Sequence, residues 1–241
     1  MKPHAALNAT QGALLSLKRV RVRRLADQGA GLLTLDLTLG GGGFHLIYSG
    51  SRDYSAALAD TCLGLIEPDN GVVSFLGQDW RALDQNRAHA LRGHVGRVMT
   101  RGNWIETRSI MENIVLPQRH STHRSDASLN QEAARLAQRF GLPGLPIGYP
   151  DACLPADLER AACTRAFMGR PLLVILEHPM ELTYPELLPA LINAGQKVRK
   201  RGGAVLWITS LEQLFEDRSL PTTQRHRIVG GALISVNRSE I

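Results

Sequence analysis

Apolar and polar residues alternate from Leu15 through LSLKRVRVRR, the period of two expected of a strand that buries one face and shows a basic one. A second alternating run, LLTLDLTL (32–39), ends in the glycines of 40–43, a turn, and FHLIY (44–48) follows as a short apolar strand. The period then changes. Ala57, Leu58, Thr61, Cys62 and Leu65 repeat at helical spacing within 54–65, before the turn EPDNG (67–71) and the strand VVSFLG. Further helices are predicted over 83–92, 109–115, 127–140, 156–168, 185–200 and 211–217. Strands near 96–99, 171–177 and 204–209 lie between them, and a hairpin (225–229 and 232–237) ends the chain. PLLVILE (171–177), an unbroken apolar run between Pro171 and Pro179, reads as a strand buried on both faces. Strands alternating with helices predict an α/β layer fold with parallel central strands.

Composition narrows the class. At 241 residues the chain can bury one full core, and 44% hydrophobic with 21% charged residues excludes collagen-like, coiled-coil and disordered chains. No run of about 18 apolar residues and no apolar leader are present, so neither a membrane span nor a secretory signal is expected. The first 13 residues read as a loose tail. Three scattered cysteines (Cys62, Cys153, Cys163) without metal spacing suggest a reduced, cytoplasmic protein with no metal site. A net charge of +6 permits anionic partners and selects none. KRVRVRR (18–24) invites a nucleic-acid reading, but 5% aromatics leave no stacking platform. The expectation is an outward edge strand protected by its charge, and no nucleic-acid partner.

Three blocks carry a resemblance. LADTCLGLIEPDNGVVSFLGQD (58–79), ENIVLP (112–117) and RAFMGRPLLVILEHP (165–179) are similar, in order and spacing, to segments of the ATP-binding domain of ABC transporters. The resemblance covers nearly the whole chain. It implies a P-loop NTPase-like ABC ATPase fold: a mixed sheet with parallel core strands (about 14–100 and 165–241) and an inserted helical subdomain (about 101–164).

The chemistry that the resemblance implies is not repeated in the residues. Aligned without gaps, the phosphate loop falls on Ser49, Gly50, Ser51, Arg52, Asp53, Tyr54, Ser55 and Ala56. Ser55 then stands at the lysine, Ala56 at the Mg²⁺-binding hydroxyl, and Ser49 and Tyr54 at glycines that let the backbone approach phosphate. The Q-loop glutamine falls on Thr100, and the signature on Cys153, Leu154, Pro155, Ala156 and Asp157. Glu177 and His178 take the Walker B aspartate and catalytic glutamate, Tyr184 the D-loop aspartate and Ser210 the switch histidine. Phosphoryl transfer rests on positioning and electrostatic stabilisation, so loss at every station predicts a non-hydrolysing subunit with no ATP or Mg²⁺ cofactor. Arg52 and Tyr54 are expected to fill the vacated phosphate cavity, or Arg52 to hold another anion.

Trp104, Ile105 and Arg108 precede ENIVLP, where the family receives its membrane-spanning subunit, and they are the expected permease interface. This stretch resembles, more narrowly, ATPase subunits of bacterial Mla/MCE-type phospholipid systems. The implied protein is peripheral on the inner face of the bacterial cytoplasmic membrane. Its expected partners are a permease and an ABC-type dimer partner, either itself or an active paralogue. The alternatives are an active ATPase with an unusual site, using Glu177 and His178, and a soluble anion-binding protein.

Overall fold

The computed structural model describes residues 12–24, 31–100 and 102–237; the expected tail lies almost wholly outside the described residues. The chain begins with β1 (Ala13–Arg24), β2 (Gly31–Gly40), β3 (Phe44–Tyr48), α1 (Arg52–Cys62), β4 (Asn70–Phe75) and a two-residue β5 (Gln78–Asp79). It continues through α2 (Gln85–Arg92), β6 (Val95–Val98), α3 (Ile110–Ser121), α4 (Asp126–Arg139) and α5 (Pro155–Phe167). The last part is β7 (Leu173–Glu177), α6 (Leu188–Lys200), β8 (Ala204–Thr209), α7 (Glu212–Glu216) and the hairpin β9 (Gln224–Val229) and β10 (Ala232–Val236).

One sheet carries all ten strands in the order β5-β4-β1-β2-β10-β9-β3-β8-β7-β6. Its β5-β4-β1-β2 half is antiparallel and its β9-β3-β8-β7-β6 half is parallel. A single bridge, Ala232 to Thr34, joins β10 to β2. The parallel half has helices to cover it, so all five residues of β7 and all six of β8 are buried, as the apolar run PLLVILE predicts.

KRVRVRR does not lie at an edge. β1 sits between β2 and β4, with Val20 and Val22 in the core and Arg21 and Arg23 exposed. Its charges mark the solvent face of an interior antiparallel strand, and β5 and β6 are the edges.

The helical lobe is built from α3, α4 and α5 around Ile110, Ile114, Leu129, Ala133 and Ala161. A capping box starts α3: Glu112 N–H donates to Ser109 Oγ at 3.2 Å, and Ser109 N–H donates to the Glu112 carboxylate at 2.9 Å. α5 serves two cores, placing Ala161 in the lobe and Ala162, Cys163 and Ala166 against the parallel sheet. This shared helix fixes the lobe relative to the strand ends where the site lies.

Candidate functional site

Parallel strands bring their carboxyl ends to one side, where ligands of open α/β sheets bind. β3 runs there into Ser49–Ser51 and α1, β6 into Thr100, β7 into His178, and β8 into Ser210. Ser49 N–H donates to Thr209 O at 2.9 Å, fixing the first loop residue to β8.

The phosphate-loop window is mostly helix. α1 starts at Arg52, with Ser51 as its N-cap. Tyr54 N–H donates to Ser51 Oγ at 3.4 Å and Ser55 N–H to Ser51 O at 3.1 Å, so these amides are engaged within the chain. No residue from 49 to 56 has positive φ, and an anion-holding nest of amides needs one. A Cβ on Gly50 would meet nothing within 4 Å, so nothing in the fold demands glycine there.

Arg52 donates to Glu181 at 2.6 Å, and this ion pair is half exposed. Tyr54 does not fill the cavity. Its ring packs on the core that β1, β2 and β4 share with α1, β7 and β8, its hydroxyl 3.1 Å from where a Cβ on Gly31 would sit. The turn of helix that begins at Arg52 carries the ring toward β2 and away from the site.

Glu177 is 1% exposed and accepts from Arg97 of β6 and from the Thr100 N–H. Arg97 reaches past it to Asp60 of α1 at 2.5 Å. Burial pushes the Glu177 carboxyl up, and the guanidinium opposes that rise. Burial alone would lower Arg97; the two carboxylates outweigh it and keep Arg97 protonated. An internal cation thus holds the carboxylate at the Walker B position from inside.

His178 follows, buried and with φ of 47°. Its Nε2 lies 2.9 Å from Ser55 Oγ, and that hydroxyl donates to Ser51 O at 2.9 Å. On its other side, His178 Nδ1 lies 3.7 Å from the Glu181 carboxylate. Burial lowers the His178 pKa, Glu181 raises it and Arg52 lowers it, and the net direction is down, favouring the neutral ring. The two positions that hold lysine and glutamate in the family pattern are here hydrogen-bonded to each other. Replacing Ser55 by alanine leaves the buried Nε2 without its hydrogen-bond partner. The expected loss is about 1–3 kcal/mol, measured as a lowered urea midpoint with the slope unchanged. An unchanged midpoint would show that the bond contributes nothing.

Between these strand ends and the helical lobe lies a cleft of about 340 Å³. Arg52 and Glu181 stand at it, Thr100, Trp104 and His178 line it, and Pro155 of the signature window closes it. The rest of that window lies apart: Leu154 is 69% exposed, and Asp157 pairs with Arg160 at 3.2 Å. Ser210 is half-buried, and Tyr184 packs against the core of the parallel half. Trp104 is half-buried, with the Arg165 guanidinium 4.3 Å from its ring centre, while Ile105 is 41% exposed. Asn113 holds this loop, accepting from Ile105 N–H at 2.8 Å and donating to Ile105 O and Arg108 O at 3.1 Å.

Arg97, Asp60 and Glu181 are the site residues that sequence reasoning missed. The available signal was an arginine inside the short strand GRVM, ahead of an apolar strand that ends in glutamate.

No family profile matches the chain. It is 24% identical over 172 residues to the methionine import ATP-binding protein MetN of Lacticaseibacillus paracasei, covering 71% of this chain and 49% of that protein. It is 28% identical over 179 residues to the nickel import ATP-binding protein NikE of Pseudomonas putida, covering 73% and 66%. The match thus spans about half the length of the first of these relatives. Among solved structures it is similar to a dimeric bacterial ABC transporter cassette, with a TM-score of 0.78 at 16% identity over 91% of this chain and 96% of that one. The fold is that of an ABC ATPase cassette, and the sequence relatives are ATP-binding subunits of ABC transporters.

Proposed function

We propose that this chain is a non-hydrolysing, ABC-ATPase-like subunit of a bacterial membrane transport complex. The observation that carries the proposal is the internal ion pair of Arg97 with Glu177, joined by Asp60. A carboxylate held by a guanidinium and an amide N–H, and buried, does not fit the water-bridged coordination that Mg²⁺ takes in nucleotide sites. Ser55 brings no charge to a β/γ-phosphate, and Arg52 is committed to Glu181. His178 has no attacking water to act on where no phosphate is held.

The residues therefore do not fit MgATP bound in the manner of the family, and no hydrolytic step is drawn through them. The proposed role is conformational: the subunit contributes contacts to a permease and to a cassette partner, itself or an active paralogue, and biases the permease's states through them. A lipid cargo is supported only by the resemblance around ENIVLP. Two facts support the permease contact: the exposure of Ile105 and the pinning of its loop by Asn113.

Phosphate release from MgATP by the purified protein is expected to equal the protein-free background. Turnover that Glu177→Gln abolishes would overturn the proposal and support an unusual active ATPase. The interface has its own test. Ile105→Asp is expected to weaken co-purification with a membrane-spanning partner by about fivefold or more, the scale of one interface anchor. Equal recovery of variant and wild type would remove Ile105 from the interface. Trp104→Ala is a poorer probe, because that ring also packs against both cores.

A further inference from the structure

A second charged feature lies on the other side of the helical lobe, where α4 and α6 end. A pocket of about 200 Å³ opens there over Phe140, Phe167 and Val198. Arg139, Arg170, Lys197 and Arg201 line it, and the adjoining groove adds Arg135. Among the described residues, the one acid lining either is Glu132. It is already committed, accepting from Gly169 N–H at 3.1 Å and paired with Arg124.

None of the other five cations has a carboxylate within ion-pair distance among the described residues. Arg139 and Lys197 lie in the last turns of α4 and α6, where a cation offsets the negative helix end. That accounts for about half a charge per helix, about one of five in all. Arg170 and Arg201 both line the pocket, and burial, then the charge of Arg170, lowers the Arg201 pKa. Planar guanidinium matches phosphate oxygens in pairs.

We infer that this groove binds a phosphate group, which bridges Arg170 and Arg201, with Arg139 and Lys197 at the rim. The group could be carried by a soluble phosphate or by a phospholipid headgroup, since the chemistry of recognition is shared. The inference is independent of the nucleotide site, which lies at the opposite ends of the strands.

The test is titration calorimetry with inorganic pyrophosphate, and co-sedimentation with vesicles of phosphatidylglycerol against vesicles of phosphatidylcholine. Both are run on the wild type, on Arg170→Gln/Arg201→Gln, and on Arg21→Gln/Arg23→Gln. The last removes the same charge from the exposed face of β1. Wild type is expected to bind pyrophosphate or the anionic vesicles, and whichever probe binds identifies the source. The Arg170/Arg201 variant is expected to bind about tenfold more weakly or worse, and the β1 variant as wild type does. Binding of neither probe by wild type overturns the inference. So does equal weakening in both variants, which would show only the pull of overall charge.

Discussion

Replacing Arg97 by methionine is expected to destabilise the protein by about 3–5 kcal/mol, as removing one partner of a buried ion pair does elsewhere. For a domain of this size that is a drop of roughly 6–20 °C in the thermal midpoint. The large effect follows from what remains. Glu177 is 1% exposed, and without Arg97 it keeps, among the described residues, only the Thr100 N–H against the loss of water. Asp60 has a side chain 32% exposed and can turn to solvent, so the burden falls on Glu177. The double variant Arg97→Met/Glu177→Leu removes both buried charges together and is expected to recover at least half of the loss. A midpoint lowered by less than about 2 °C in the single variant would show that the pair contributes little to the fold.

Acid is expected to destabilise the fold through a second buried cluster. His226 of β9 lies with Nε2 3.2 Å from Nδ1 of His45 on β3, and Ser235 Oγ is 3.1 Å from His226 Nδ1. The hydrogen bonds are complete with both rings neutral in either sense, from Ser235 through His226 to His45 or the reverse. Burial, then the charge of His226, lowers His45 from 6.5 to about 4, and burial lowers His226 to about 4. Above pH 6.5 neither folded nor unfolded rings hold an extra proton, so this stability is fully present. As pH falls from 6.5 toward 4 the unfolded rings protonate and the folded ones do not, and stability is lost. The loss is up to about 3 kcal/mol per ring and levels off below the folded value. Thermal midpoints from about pH 7.5 to about pH 4.5 should show this fall, with a slope about halved in His226→Gln. An unaltered slope would place the acid sensitivity elsewhere.

The fold was legible because its signals are local. PLLVILE can be little other than a doubly buried strand, and the change from the apolar strand FHLIY to helical spacing within 54–65 marks the first βα unit. The neighbours of each strand are not local. The alternation in KRVRVRR shows that one face is wet, but the place of β1 between β2 and β4 depends on pairing with residues 70–75. The candidate site divides in the same way. Its window and strand ends could be read position by position. The bonds made there could not, since Arg97 meets Glu177 across 80 residues and Ser55 meets His178 across 123. Tyr54 shows the limit within a single loop. Its position was legible, but the direction of its ring follows from α1 starting at Arg52. His45 and His226, 181 residues apart, are adjacent only because β9 docks beside β3.

In the proposed function, Arg97 and the bond between Ser55 and His178 leave no place for a magnesium nucleotide. Its most direct test is the thermal midpoint of the purified protein with and without millimolar MgATP, with an ordinary ABC ATPase run in parallel. The expected result is a shift in the ordinary ATPase and none here. A nucleotide present at about 100 times its dissociation constant would add about 2.7 kcal/mol. For a chain of this length that is a rise of roughly 5–11 °C, and seeing it would show that the site holds a magnesium nucleotide after all.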